Sequence, residues 1–269
     1  MPAKLTQRDR VAEIAARIEP PEPIKIEPDI ISFAVNTLRY TSLDSWQRDF
    51  LRDTEHKRVI LNCARQTGKS SMVAIRAIYE ALTTPGSLIL VISPTFRQSM
   101  LLFSKIMRFY DMAGRPVSPI KETETQLRLE NDSWVVSLPS SEANVRGFSK
   151  VDFIAVDEAA RVGADVYAAI MPMLLVSGGR IVMLSTPWSY NNFYSDVWHN
   201  NDNDWHKVKI TADDCPRITK EAIRIQRENM LSWQFDQELY CSFESSQTQL
   251  LSEQAIKALF IEHVEEWSL

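Results

Sequence analysis

Apolar positions near the start of the chain recur with helical spacing. Val11, Ile14, Ala15 and Ile18 fall at i, i+3, i+4 and i+7 and predict an amphipathic helix over 6–18. Pro20, Pro21 and Pro23 end it, and Pro28 is placed to open a second helix to about Tyr40. Asp44 fits the N-cap of a third helix that carries Trp46, Phe50 and Leu51. From residue 58 the pattern changes to short apolar runs alternating with helical stretches. The runs are 58–62 (RVILN), 88–92 (LILVI), 153–156 (FIAV), 180–184 (RIVML) and 206–210 (HKVKI). The first four are continuous rather than alternating, as strands covered on both faces are. Helical patterns at about 69–82, 97–112, 165–176 and 192–199 lie among them.

This βαβ order predicts an α/β fold with an open, mainly parallel sheet and right-handed crossovers. Residues 126–138, turning at Asn131-Asp132, read instead as an inserted β-hairpin. Beyond Ile210 two more helices are expected at 219–230 and 232–240. A polar linker (SSQTQ, 245–249) and a short helix at about 252–260 follow. The division expected is an N-terminal helical segment (1–42), a core (43–212), a helical subdomain (213–245) and a linker region (246–269).

Composition narrows the classes. In 269 residues, 45% hydrophobic and 24% charged is the balance of a globular protein and too apolar for a disordered chain. No apolar run nears the ~18 residues of a membrane span, and the start, MPAKLTQRDR, lacks the apolar stretch of a secretory signal, so a cytosolic, non-membrane protein is expected. Cys63, Cys215 and Cys241 are far apart, and none of the 4 histidines has ligand spacing, so structural zinc and a disulfide framework are poorly supported. The net charge of −5 argues against a constitutive DNA coat, because tight duplex binding leans on many phosphate contacts. It leaves open a local basic face, for which Lys207, Lys209, Arg217, Lys220, Arg224 and Arg227 are candidates; a solvated helix explains them as well.

The sharpest local signal is Cys63-Ala64-Arg65-Gln66-Thr67-Gly68-Lys69-Ser70, between a strand and a helix. A phosphate-binding loop needs backbone N–H groups around the phosphates, a lysine for the β/γ oxygens and a hydroxyl for Mg²⁺. Gly68, Lys69 and Ser70 fit the end of that pattern, while Cys63 stands where a first glycine is usual. A second signal, 151–158 (VDFIAVDE), is an apolar strand ending in two carboxylates. Ligands of parallel sheets bind at the carboxyl ends of strands, so Asp157 is placed to hold Mg²⁺ and Glu158 to polarise the attacking water. Ser185-Thr186-Pro187 follows the next strand as either a γ-phosphate sensor or a local turn. Arg65, inside the loop, and Arg146, on an Arg-Gly turn, are candidates to neutralise transition-state charge, or else surface arginines. Gln47 has an amide able to read the adenine edge, with Trp46 beside it to cover the ring or simply to fill the core.

Taken together, WQRDF (46–50), ARQTGKS (64–70), ISPTFRQS (92–99), RGF (146–148), IAVDEA (154–159) and LSTP (184–187) resemble, in that order, the large motor subunit of the DNA-packaging terminase of tailed bacteriophages. The resemblance spans about residues 40–245. It implies a P-loop NTPase of the additional-strand, catalytic-glutamate class, in which the strand bearing Ser185 lies between the phosphate-loop strand and the Asp157-Glu158 strand. It further implies ATP and Mg²⁺ as cofactors. The nucleotide would be bound by Trp46, Gln47, Arg65, Gln66, Thr67, Gly68, Lys69, Ser70 and Asp157. Ser70 and Asp157 would hold the metal, Glu158 would be the catalytic base, and Ser185, Thr186 and Pro187 would couple. Arg65 would act from the phosphate loop and Arg146 across the interface of a ring, and the helices after Ile210 would form a lid.

The implied partners are double-stranded DNA, a portal protein, a small terminase subunit and other copies of the chain, with a monomer in isolation, and the implied place is the host cytoplasm. Full-length relatives of this kind carry a nuclease domain for which 269 residues leave no room, so the sequence is either the ATPase portion of a longer protein or a subunit that lacks the nuclease, and no DNA cleavage is expected of it. A single helicase motor domain and a non-catalytic nucleotide-binding assembly module remain as alternatives.

Overall fold

The computed structural model of the chain describes residues 25–201 and 204–243. The expected helices at 6–18 and 252–260 and the linker at 245–249 lie outside them. Ile30–Ser32, capped by the Asp29 carboxylate, runs into a π-type turn over Phe33–Thr37, so the second expected helix is real but ends early. Helix α1 (Ser45–Arg52) follows, with Asp44 at its N-cap as the sequence indicates.

The chain then lays down β1 (Arg58–Cys63), α2 (Lys69–Thr83), β2 (Leu88–Ser93), α3 (Phe96–Met112), β3 (Pro119–Glu122), β4 (Gln126–Leu129), β5 (Trp134–Pro139) and β6 (Phe153–Asp157). It continues with α4 (Ala164–Ile170), β7 (Arg180–Ser185), α5 (Phe193–His199), β8 (His206–Ile210), α6 (Lys220–Asn229) and α7 (Ser232–Tyr240). The eight strands form one sheet in the order β3-β4-β5-β2-β6-β7-β1-β8. All pairings from β5 to β8 are parallel, and β3–β4 and β4–β5 are antiparallel.

The continuous apolar runs have a simple cause. Successive side chains of a strand point to opposite faces, and here both faces are covered. Val59, Leu61, Ile89, Val91, Phe153, Ala155, Val182 and Leu184 enter one core, beneath α1, α2 and α3. Their neighbours Ile60, Leu90, Ile92, Ile154, Val156, Ile181 and Met183 enter a second core with residues of α4 and α5. A smaller cluster, Ala212, Phe235 and Leu239, joins the last two helices.

Three details depart from the sequence reading. The hairpin is not set aside from the series: β5 pairs in parallel with β2 and carries the antiparallel β4 and β3 as an extension of the main sheet. β3 escaped the pattern because Pro119–Glu122 offers one strongly apolar residue, Ile120, and that residue is exposed. The helix expected over 165–176 is broken at Met171–Met173, where Pro172 lacks the N–H that an α-helical turn requires.

Candidate functional site

Register sets the site. Asn62 of β1 lies opposite Ser185 of β7, and Leu184 of β7 opposite Asp157 of β6, so the three strands end side by side. The 63–70 loop, the Ser185-Thr186-Pro187 turn and the Asp157-Glu158 pair therefore emerge together at the carboxyl edge of the sheet.

Within the loop, Cys63 is still in the strand, fully buried and opposite Ile210 of β8. Its position demands no special backbone, which explains why a glycine is dispensable there. Burial pushes the Cys63 thiol well above its usual range. The left-handed positions come later, at Gln66 (φ 62°) and Gly68 (φ 91°). The loop is pinned from several directions: Ala64 N donates to Ile210 O (2.8 Å), Arg65 N to Glu238 O (2.9 Å) and Thr67 Oγ1 to Ala64 O (3.1 Å).

The Thr67 carbonyl accepts from Gln47 Nε2 (3.0 Å) and from Arg217 Nη2 (2.9 Å). Arg217 also pairs with the buried Asp44 at 2.8 Å, and Asp44 N donates to Gln47 Oε1 at 3.0 Å. Gln47 is thus fully buried with both ends of its amide engaged in holding the loop. Trp46 is instead buried in the core with Val59 and Leu61 of β1.

Beyond the loop, Ser70 Oγ donates to Asp157 Oδ2 at 3.1 Å, and Lys69 Nζ stands 3.0 Å from Glu158 Oε1. Ser185 Oγ reaches Glu158 Oε2 (3.3 Å) and the Thr186 carbonyl (2.7 Å). Glu158 sits in the left-handed region (φ 51°, ψ 44°), a conformation of order 1–3 kcal/mol above the helical basin for a non-glycine residue, held by the buried turn that follows. Asp157 is buried, and burial first, then the neighbouring Glu158, raises its carboxyl to about 6 against the opposing pull of Lys69, Ser70 and Lys105. The Lys69 ammonium is raised as well: burial alone would lower it, yet Glu158 and Asp157 outweigh burial.

Asp157 Oδ1 is buried without a hydrogen-bond partner, and Ser70 Oγ lies beside the same carboxylate. A hydroxyl and an unsatisfied carboxylate oxygen are the hard donors Mg²⁺ takes, the remaining positions falling to water and phosphate oxygens. The residues fit that ion. Among the described residues no cluster of three or more His, Cys, Asp or Glu exists for any other metal.

Lys69 and Glu158 face a cavity of about 850 Å³ whose lining also includes Arg65, Gln66, Thr95, Arg97, Gln98 and Arg161. Arg65 is ion-paired to Glu238 of α7. Arg146 is elsewhere: it is exposed and lines a separate cavity with Gly147, Phe148, Lys150 and Pro172. Thr186 is buried behind Ser185, its hydroxyl without a partner, and Pro187 is buried after it.

A family model described as terminase large subunit, T4likevirus-type, N-terminal, matches residues 60–258. The chain belongs to the terminase large-subunit family. A curated terminase large subunit from Thermus phage G20c is 28% identical over 158 residues, covering 51% of this chain and 32% of that protein. The matched region is thus about a third of that relative's length. Among solved structures, the large terminase ATPase domain of Thermus phage P74-26 superposes with a TM-score of 0.67 at 23% identity, covering 78% of this chain and 96% of that one. The large terminase of a thermophilic bacteriophage, in complex with ADP, superposes at 0.62 and 10% identity, covering 75% and 54%. These likenesses show the fold, a P-loop NTPase sheet flanked by helices.

Sequence reasoning missed three features of this terminase site. Arg217, weighed as a member of a basic face, is instead a tie between α1 and the loop. Arg224 pairs with Glu221 and Glu228, and Arg227 lies over the Phe235 ring, so of that face Arg217 and Arg224 are matched by carboxylates of the chain. Glu238 and Gln237 of α7 touch the loop and the 185–188 turn, and Arg97 and Arg161 wall the cavity; Arg97 lies in the quoted ISPTFRQS segment and Arg161 three residues after Glu158, which is the signal that was present.

Proposed function

We propose that this chain binds Mg²⁺-ATP in the cavity between the 63–70 loop and Glu158, and hydrolyses it to drive double-stranded viral DNA into a procapsid. One observation carries the reading: Lys69 and Ser70, consecutive on the first turn of α2, each meet one of two consecutive carboxylates, Glu158 and Asp157, at 3.0 and 3.1 Å. The ADP-bound thermophilic-phage relative supports the nucleotide, and the family supports the packaging role. Membership of that family also weighs against a helicase motor.

The geometry supports the following roles. Lys69 exchanges its carboxylate for the β/γ-phosphate oxygens. Glu158, released from Lys69 and kept in place by the Ser185 hydroxyl, accepts the proton of the attacking water. Gln66, Thr67 and Gly68 present backbone N–H groups to phosphate, and Gln47 holds the loop in shape; to read adenine it would first exchange its present partners. Asp157 and Ser70 hold Mg²⁺, which supplies charge neutralisation on the phosphates when bound. Arg65, on leaving Glu238, adds a guanidinium from within the chain. Arg146, away from this cavity, acts on a neighbour's nucleotide in a ring docked on a portal protein with a small terminase subunit. Residues 213–243 serve as the lid.

The test is phosphate release with Mg²⁺-ATP beside ADP binding. In Glu158→Gln, turnover is expected to fall about 10²–10⁴-fold, the usual share of a general base, with ADP affinity kept. Lys69→Ala is expected to lose nucleotide binding. Unchanged turnover in Glu158→Gln would make the chain a nucleotide-binding assembly module.

A further inference from the structure

The cavity carries more positive charge than its visible partners use. Its lining includes four cations, Arg65, Lys69, Arg97 and Arg161, against the single carboxylate of Glu158. Lys69 is matched by Glu158 and Arg65 by Glu238 from outside the lining. Arg97 and Arg161 line the same cavity, and among the described residues neither has a carboxylate partner or a side-chain hydrogen bond. Unmatched charge on a concave wall focuses the field into the cavity and favours a compact anion there.

Arg161 is also held in a way that leaves it ready for such an anion. Its backbone N donates to the Glu158 carbonyl at 2.9 Å, closing a one-turn helix whose Ala159 and Ala160 are buried, so the side chain starts from a fixed point beside Glu158. Its guanidinium lies over the Trp188 ring, 3.8 Å from the centroid. Stacking occupies the face of the guanidinium and leaves the in-plane N–H edge open to accepting oxygens. Trp188 follows the Ser185-Thr186-Pro187 turn by one residue, and its carbonyl accepts from Gln237 Nε2 of α7 at 2.6 Å. The platform under Arg161 is therefore fixed to both the turn and the last helix.

We propose that Arg161, seated on Trp188, and Arg97 of the same cavity form a second phosphate-binding wall that takes the terminal phosphate of the nucleotide, and the orthophosphate it releases, from within the same chain. This rests on the nucleotide reading above and adds two residues to it. A backbone phosphate of DNA shares the chemistry, but the arginines open into the cavity that holds Lys69 and Glu158, which suits a small polyphosphate better than a duplex.

The experiment compares ADP, which lacks the terminal phosphate, with ATPγS in the whole chain and in Arg161→Ala, Arg161→Lys and Arg97→Ala. Charge-assisted bonds to phosphate predict an ATPγS Kd about tenfold or more weaker in the alanine variants, ADP within about twofold, and an intermediate value for Arg161→Lys. Inhibition of turnover by orthophosphate weakens in parallel. Equal loss for ADP and ATPγS, or no loss for either, overturns the proposal. So does a drop in duplex-DNA affinity with ATPγS unchanged, which would assign the arginines to DNA phosphate. Failure of the unaltered chain to bind ADP or ATPγS sinks the nucleotide reading itself, whereas normal binding with an unchanged ratio in the variants sinks the second wall alone.

Discussion

A Cβ at residue 68 would stand 2.9 Å from Gln47 Nε2, on a backbone at φ 91°. Either fact alone would disfavour a side chain, and together they tie the shape of the loop to a residue of α1. Gly68→Ala is accordingly expected to weaken nucleotide binding about tenfold or more by displacing Gln47 and rotating the loop, measured by ADP titration. Arg217 is the other residue on which the loop depends. Removing it leaves the buried Asp44 carboxylate without its cation and the Thr67 carbonyl with one donor in place of two. Because the Arg217 side chain is about a third exposed (36%), the loss is set below that of a fully buried pair, at about 1–3 kcal/mol, or about 3–10 °C in Tm. A melt of Arg217→Ala checks it, and an unchanged Tm would show the tie to be ornamental. At this scale the sequence spoke clearly for Lys69, Ser70, Asp157 and Glu158, since local spacing encodes a loop and a strand end. It was silent on Arg217 and on the engagement of Gln47, because their contact joins positions 170 residues apart and no local pattern records such a pair.

Elements were legible where covering is two-sided and less so where it is not. β1, β2, β6 and β7 announce themselves by unbroken apolar runs, whereas β3, with one exposed apolar residue, does not. The edge strand β8, the last of the runs and outside the continuous four, brings a chemical consequence. His206 at its start stacks on His56, with ring centroids 4.0 Å apart, and Asp53 and Arg180 lie close by. Burial, then the neighbouring His56 and Arg180, lowers the His206 imidazole below its ordinary 6.5, with Asp53 pulling the other way. The unfolded chain therefore takes up this proton before the folded one does. Stability is full above the ordinary value and is lost as pH falls through and below it. A series of melts from pH 7.5 to 5.5 should show this loss, and His206→Gln should flatten it; a parallel loss in the variant would place the titration elsewhere.

For the whole molecule the informative fact is separation. Arg146 lines one cavity, and Lys69 and Glu158 line another, so a single copy does not bring them together. If Arg146 acts on a neighbour, phosphate release per chain must rise with protein concentration. Arg146→Ala should abolish the rise without lowering the Tm. A rate per chain independent of concentration, in both proteins, would remove the interface from the mechanism.

The sheet order has a further meaning for a chain that is made from one end. β1, which leads into the phosphate loop, borders only β7 and β8, strands that begin at Arg180 and His206. The ribosome therefore delivers Arg58–Cys63 long before either neighbour, and at about 5–20 residues per second the wait is on the order of ten seconds. During that interval α2 and α3 can shelter one face of the nascent strand, but its hydrogen-bonding edges stay open to the same stretch of a chain growing alongside. The hazard that this order creates for β1 is pairing between neighbouring nascent chains, and it closes once β7 and β8 have both been added.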